Sequence, residues 1–278
     1  MLRLLTIELH KLRYNKSAKV ISIVYFILIT FIALISSIEF NFGAINFRIA
    51  DQGIFNFPYI WHFNSYIAAI LKLFLAIVIV SMTANEYSNK TLKQNLIDGL
   101  SKKEFILSKF ITVVLFSLVS TLFVFGVSLV LGLIFSDYNE PGIIFSDIAY
   151  LFAYFVKLIG FFSFCLFLGI LVKRSAFALG FLLIWSISEG IIYSIFKWKI
   201  FKDTDIAESM IQFFPLTAMS NLIKEPFSRL GAVQTAANQL GEAFDKDYSV
   251  QFLTVIIVMV WTFLFIFGSY YILKRRDL

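Results

Sequence analysis

Three ionisable side chains interrupt stretches that are otherwise apolar: Lys72, Lys157 and Glu189. In hydrocarbon each costs about 2.5–3.5 kcal/mol near mid-bilayer unless paired or wetted, so such residues mark ion pairs, proton relays or substrate paths. At 1.5 Å of rise per residue, Lys72 lies roughly 10 Å from the outer end of its stretch, Lys157 roughly 14 Å and Glu189 roughly 10 Å, which puts all three in one layer. Ser186, Ser188 and Gly190 flank Glu189 and permit close helix approach and hydrogen bonding. A buried ion pair of Glu189 with Lys157 or Lys72 is therefore expected, lining the outer part of a path or meeting a lipid headgroup. Snorkelling lysines and a purely structural pair are the plainer alternative.

No other constellation offers chemistry. His10 and His62 lie in separate segments, and the chain has neither a His-Glu-x-x-His zinc motif nor a Cys-x-x-Cys pair. It lacks a Gly-x-Ser-x-Gly elbow and a nucleophile and base at helical spacing. A Gly-x-x-x-x-Gly-Lys-Ser/Thr loop to cradle nucleotide phosphates is equally missing. No catalytic residue, cofactor or metal site is assigned. If the chain moves something uphill with ATP, another chain must hydrolyse it.

The elements that position these charges follow from composition. Hydrophobic residues make up 59% of the chain and charged ones 15%, where soluble domains carry roughly 45–50% and about 25%; the mean hydropathy is +0.84. This is an all-α, polytopic integral membrane protein. Six segments suffice to cross a bilayer: Val20 to Ile38, Ser65 to Thr83, Phe105 to Phe135, Ile148 to Val172, Ala176 to Phe196 and Val250 to Leu273. Fifteen of the lysines and arginines fall in the arm, loops and tail at one end of these spans, and seven at the other. The positive-inside rule then places both termini in the cytoplasm, and the basic balance is a topology signal rather than a footprint for nucleic acid. The single cysteine, Cys165, allows no intrachain disulfide. With no small-residue cleavage site after it, the first apolar run reads as a retained helix rather than a signal peptide.

Residues 1–278 read as one membrane domain. Residues 1–17 form an amphipathic interfacial helix, with Leu2, Leu5, Leu9 and Leu12 on one stripe and Arg3, Lys11 and Arg13 around it, basic side towards lipid phosphates; a simple positive anchor is the alternative. Residues 84–109 form a cytoplasmic hinge. Leu92, Leu96 and Leu100 recur at intervals of four on a short helix starting at Asn89 or Thr91, and Gly99 should end it. Ser101 to Glu104 then spell a capping box for the third span. Such a hinge can take a push from a soluble partner; an ordinary solvated connector is the bland reading. Residues 197–249 make the largest outer excursion, in which Phe213 to Leu216 should dip back towards the bilayer and Ala232 to Phe244 should be helical.

In order and spacing the chain resembles the permease subunits of ATP-binding-cassette transporters of the second exporter class, the ABC type-2 family. IELHKLRYNK, with Glu8, Lys11, Arg13 and Lys16, is similar to the family's N-terminal interfacial helix. NEYSNKTLKQNLIDGLSKKEFILSK, with Glu86, Thr91, Leu92, Ser101, Lys102 and Lys109, is similar to its cytoplasmic loop, where an acidic residue closes the second span and a Thr-Leu pair starts the coupling helix. FFPLTAMSNL is similar to the proline-bearing segment before the last span. The glycine common after the acidic residue is replaced, since Tyr87, Ser88 and Asn89 follow Glu86.

The resemblance implies a half-transporter in a bacterial inner (cytoplasmic) membrane, an exporter paired with a second permease copy, identical or different, and two cytosolic ATPase subunits. The hinge would dock on the ATPase, with Glu86, Thr91, Leu92, Leu96, Leu100, Ser101 and Lys102 as its coupling residues. On this reading the leucines supply an apolar grip and the lysines select an acidic rim. A non-transporting membrane scaffold anchoring a cytoplasmic or periplasmic machine through the same helix is the second reading. An intramembrane enzyme acting on lipids is the third, and the absent constellation counts against it.

Overall fold

Long apolar runs in this chain have one way to satisfy their backbone groups inside a bilayer, and the computed structural model, which describes residues 2–42, 45–48, 53–202, 206–239 and 246–276, makes them helices. The helix α1 (Leu2–Tyr14) is followed after Asn15 by α2 (Lys16–Ser37), the first span. A short antiparallel hairpin, β1 (Glu39–Phe42) with β2 (Ile45–Arg48), pairs Phe40 with Phe47 in the first outer loop. It is the one addition to the expected helical fold among the described residues. The second span, α3 (Tyr59–Ser88), leads through α4 (Thr91–Ile97) to the third, α5 (Lys102–Phe135). After α6 (Pro141–Ile144), the antiparallel spans α7 (Ala149–Val172) and α8 (Ser175–Ile195) are joined by a two-residue turn, Lys173 and Arg174.

Beyond α8 one π-helical turn, Phe196–Ile200, carries the chain outward. The helices α9 (Ile206–Ile211), α10 (Pro215–Asn221) and α11 (Gly231–Gln239) cross the outer face before the last span, α12 (Phe252–Arg275). The helix expected to Phe244 is thus seen to Gln239, and residues 240–245 lie outside the described residues. Among the described residues six helices are long and apolar enough to cross a membrane, and α3 exceeds its expected span at both ends.

The central rod is α7, which packs against α3, α5, α8, α10 and α12 and is buried along most of its length. At Gly160 the approach is so close that a Cβ would stand 2.7 Å from Val258 Cγ1. Three buried hydroxyls knit α2, α5 and α7: Tyr154 Oη lies 2.6 Å from Tyr25 Oη and 2.8 Å from Ser120 Oγ, and Tyr25 also meets Ser120. Each oxygen can donate one bond and accept another, so the ring leaves no polar atom bare in an apolar interior. At the outer end Trp61 Nε1 donates to Ile144 O at 2.7 Å, as α10 folds back against α7, α8 and α12.

Candidate functional site

The hinge forms because its punctuation is strong. Gly99, at φ +96°, provides the left-handed turn that ends α4; Leu100 N bonds Asn95 O at 2.9 Å and Gly99 N bonds Leu96 O at 3.2 Å, the paired closure of a Schellman motif. Ser101 Oγ then accepts from Glu104 N at 3.2 Å while the Glu104 carboxylate accepts from Ser101 N at 2.9 Å, so the capping box is present.

The leucine stripe points inward. Leu92 is fully buried, and Leu96 and Leu100 are half-buried against the bundle core. The expected apolar grip on a partner is therefore corrected: on a helix of seven residues the i, i+4 stripe is spent on seating α4. The opposite face carries Lys93, Gln94 and Asp98 around Ile97, whose side chain is 75% exposed.

Beneath α4 lies a cluster of two carboxylates and two ammonium groups. Lys109 Nζ, with no exposed surface, donates to Glu86 Oε1 at 2.5 Å and Glu8 Oε2 at 2.6 Å. Lys11 Nζ donates to Glu86 Oε1 at 2.8 Å and Glu8 Oε1 at 3.3 Å. The other Glu86 oxygen accepts from Asn95 Nδ2 at 3.1 Å and Thr91 Oγ1 at 3.4 Å. Glu86 is thus the node joining α1, α3, α4 and α5. For Lys11, burial is the largest single influence and works to lower the pKa; hydrogen bonds and charge from Glu86 and Glu8 together overcome it and leave the value raised.

The sequence points to Glu86 as a coupling residue and to Glu8 and Lys109 through the family resemblance alone, without the pairing that joins the three. The signal was there: Lys109 falls inside the expected third span, Phe105 to Phe135, and the criterion that singled out Lys72 applies to it equally. Lys102 is also placed differently from expectation. Instead of facing a partner, its ammonium donates to Lys274 O at 3.3 Å and Arg276 O at 2.8 Å, closing the last turn of α12. Arg276 in turn donates to Ile170 O at 2.5 Å and Leu171 O at 2.9 Å at the end of α7. Cations at helix C-termini offset the exposed carbonyl dipoles there.

The outer layer departs from the expected ion pair. Glu189 takes Trp185 Nε1 at 2.8 Å, Leu216 N at 3.1 Å, Thr217 N at 2.8 Å and Thr217 Oγ1 at 2.9 Å. Its partners are the first turn of α10, whose amides have no intrahelical acceptor and whose dipole favours an anion. Lys157 points at the other end of the same helix, with Ser220 O at 3.4 Å, and Lys72 Nζ lies 4.7 Å from the centre of the Phe161 ring. No salt bridge joins Glu189 to either lysine among the described residues; α10 stands between the acid and Lys157 and satisfies both. Beside it a cavity of about 550 Å³ is lined by Ser186, Glu189, Tyr193, Glu208, Thr217 and Asn221.

A bundle with six helices long enough to span a membrane among the described residues, a clamped hinge and N-terminal helix at its basic end and a short helix folded back on the bundle at the other, has the form of a membrane permease. Residues 4–197 match the family described as ABC-2 family transporter protein, and the chain belongs to that family. It is a multi-pass membrane permease component of an ATP-binding-cassette transporter, a class that works with ATPase subunits. Among curated proteins none matches this chain.

Proposed function

We propose that this permease couples ATP hydrolysis by a separate cytosolic ATPase to export across a bacterial inner membrane, with α4 as the element the ATPase engages. The carrying observation is the exposed face of α4, where Ile97 stands 75% exposed amid Lys93, Gln94 and Asp98 while the opposite face is locked to the bundle. A solvated connector has no need of an uncovered isoleucine on a helix that is capped at its end and bonded through Glu86. In a functional unit of two permeases and two ATPases, closure of the ATPase pair on nucleotide would draw the two α4 helices together and shift the balance between inward and outward access.

The coupling residues then divide their work. Glu86, Thr91 and the three leucines hold α4 in place, Ser101 starts the third span, and Lys102 ties that start to the last span. Ile97, Lys93 and Gln94 make the contact. At the outer end Glu189, Lys157 and Lys72, with α10, border the exit side of the path. Replacing Ile97→Asp should abolish recovery of the ATPase with the tagged permease while the spans stay folded. Recovery at the parent level would overturn docking on this face.

A further inference from the structure

We propose that α1 is a second arm of the coupling lever, joined to it by the Glu8, Lys109, Glu86 and Lys11 cluster, with Lys109 as the positioning residue of the joint. The inference rests on the reading of α4 as the element that receives the stroke.

A helix that only anchors the chain would turn its charges to lipid phosphates. Instead Glu8 is 2% exposed, and both Glu8 and Lys11 reach inward to Lys109 and Glu86. The same Glu86 carboxylate holds Thr91 and Asn95 of α4, so displacement of α4 acts on α1 through one shared group. Burying four charges is no economical route to stability, since apolar side chains of similar volume usually do as well or better. What the cluster provides is geometry: bonds from one ammonium to two carboxylates fix α1, α3 and α5 at a single point.

The surroundings leave room for motion. One cavity of about 220 Å³ lies against Asn85, Glu86, Asn89, Thr91 and Lys109, and another of about 180 Å³ lies between Arg3, Leu4 and Glu8 of α1 and Asn95 and Asp98 of the hinge. Around the ion pairs, α1 and α4 therefore meet across space rather than through packed side chains. Packed cores resist continuous deformation, and here the ion pairs are what makes the two helices move as one.

The test uses the full chain with its cognate ATPase in liposomes. Spin labels go on Leu9→Cys of α1 and Lys90→Cys at the start of α4, both at exposed positions and outside the proposed ATPase contact, while Cys165 is buried and takes no label. A second pair combines Lys90→Cys with Tyr138→Cys at the outer end. On addition of ATP and magnesium, the Lys90 to Tyr138 distance should change and the Leu9 to Lys90 distance should not. Adding Glu8→Gln with Lys11→Met removes both charges that α1 contributes to the cluster and leaves the Lys109 to Glu86 pair balanced. The Leu9 to Lys90 distance should then become nucleotide-dependent.

A nucleotide-dependent Leu9 to Lys90 distance in the parent chain, or an unchanged fixed distance in the double variant, overturns the second arm alone. A Lys90 to Tyr138 distance indifferent to nucleotide overturns the coupling reading and the arm with it. The parent measurements stand whether or not the double variant folds.

Discussion

Both ends of this bundle bury charge, and they pacify it by different means. At the basic end charge meets charge: Lys109 sits between two glutamates at 2.5 and 2.6 Å. At the outer end charge meets backbone, with Glu189 on the opening amides of α10 and Lys157 on a carbonyl near its close. An ion cluster fixes the elements that carry it at one point and leaves space beside them. A helix held by its two ends can be released at either. On the proposed function, the first arrangement suits a joint that passes on a push, and the second suits a helix that can be released beside the path.

The contrast also explains what the sequence made legible. The six spans, the stop at Gly99 and the capping box at Ser101 are local, set by apolar length and backbone conformations that few residues tolerate. The partners of the buried charges are tertiary. That Glu189 would meet Leu216 and Thr217, 27 and 28 positions away, rather than a lysine depended on where α10 returned to the bundle. The leucine stripe on α4 was read correctly as a face, but periodicity does not say whether a face looks in or out. Lys109, at a span edge, was legible as a buried charge and was counted as a loop residue instead.

The comparison breaks or sharpens under substitution, and the largest effect belongs to the inner cluster. Lys109→Met leaves two buried carboxylates with one ammonium and should cost about 3–5 kcal/mol of stability, read as thermal unfolding of the purified permease. Adding Glu8→Gln restores charge balance through Glu86 and Lys11 and should recover most of that loss. If the pair is no better than the single variant, the ions are not acting as a cluster.

A smaller effect is expected outside, because an amide oxygen still accepts from Leu216 and Thr217. Glu189→Gln should weaken charge-assisted bonds by about 1–3 kcal/mol and loosen α10, seen as faster hydrogen exchange at residues 215–221. Unchanged exchange, assembly and transport would remove the outer layer from the account. A further pairing with Lys157→Met should be close to additive, whereas strong compensation would restore the ion pair that the geometry denies.

The smallest effect concerns the outer loop. Burial works to raise the carboxyl pKa of Glu225, but bonds from Lys246 and Ser228 outweigh it and hold the value below the ordinary 4.5. A depressed folded value means the contribution is complete above pH 4.5 and is lost as pH falls through the lower folded value. The partly exposed pair contributes at most about 1 kcal/mol. Protection of residues 225–229 from hydrogen exchange should decline only as the pH falls below 4.5, and Glu225→Gln should flatten the decline.

The claim that α4 is where an ATPase engages the chain is tested most directly by a membrane-impermeant maleimide on Ile97→Cys. The account predicts no labelling in intact cells, ready labelling in inside-out vesicles, and protection there when the ATPase is bound. Labelling from outside the cell, or labelling in vesicles that the ATPase leaves unchanged, would contradict it.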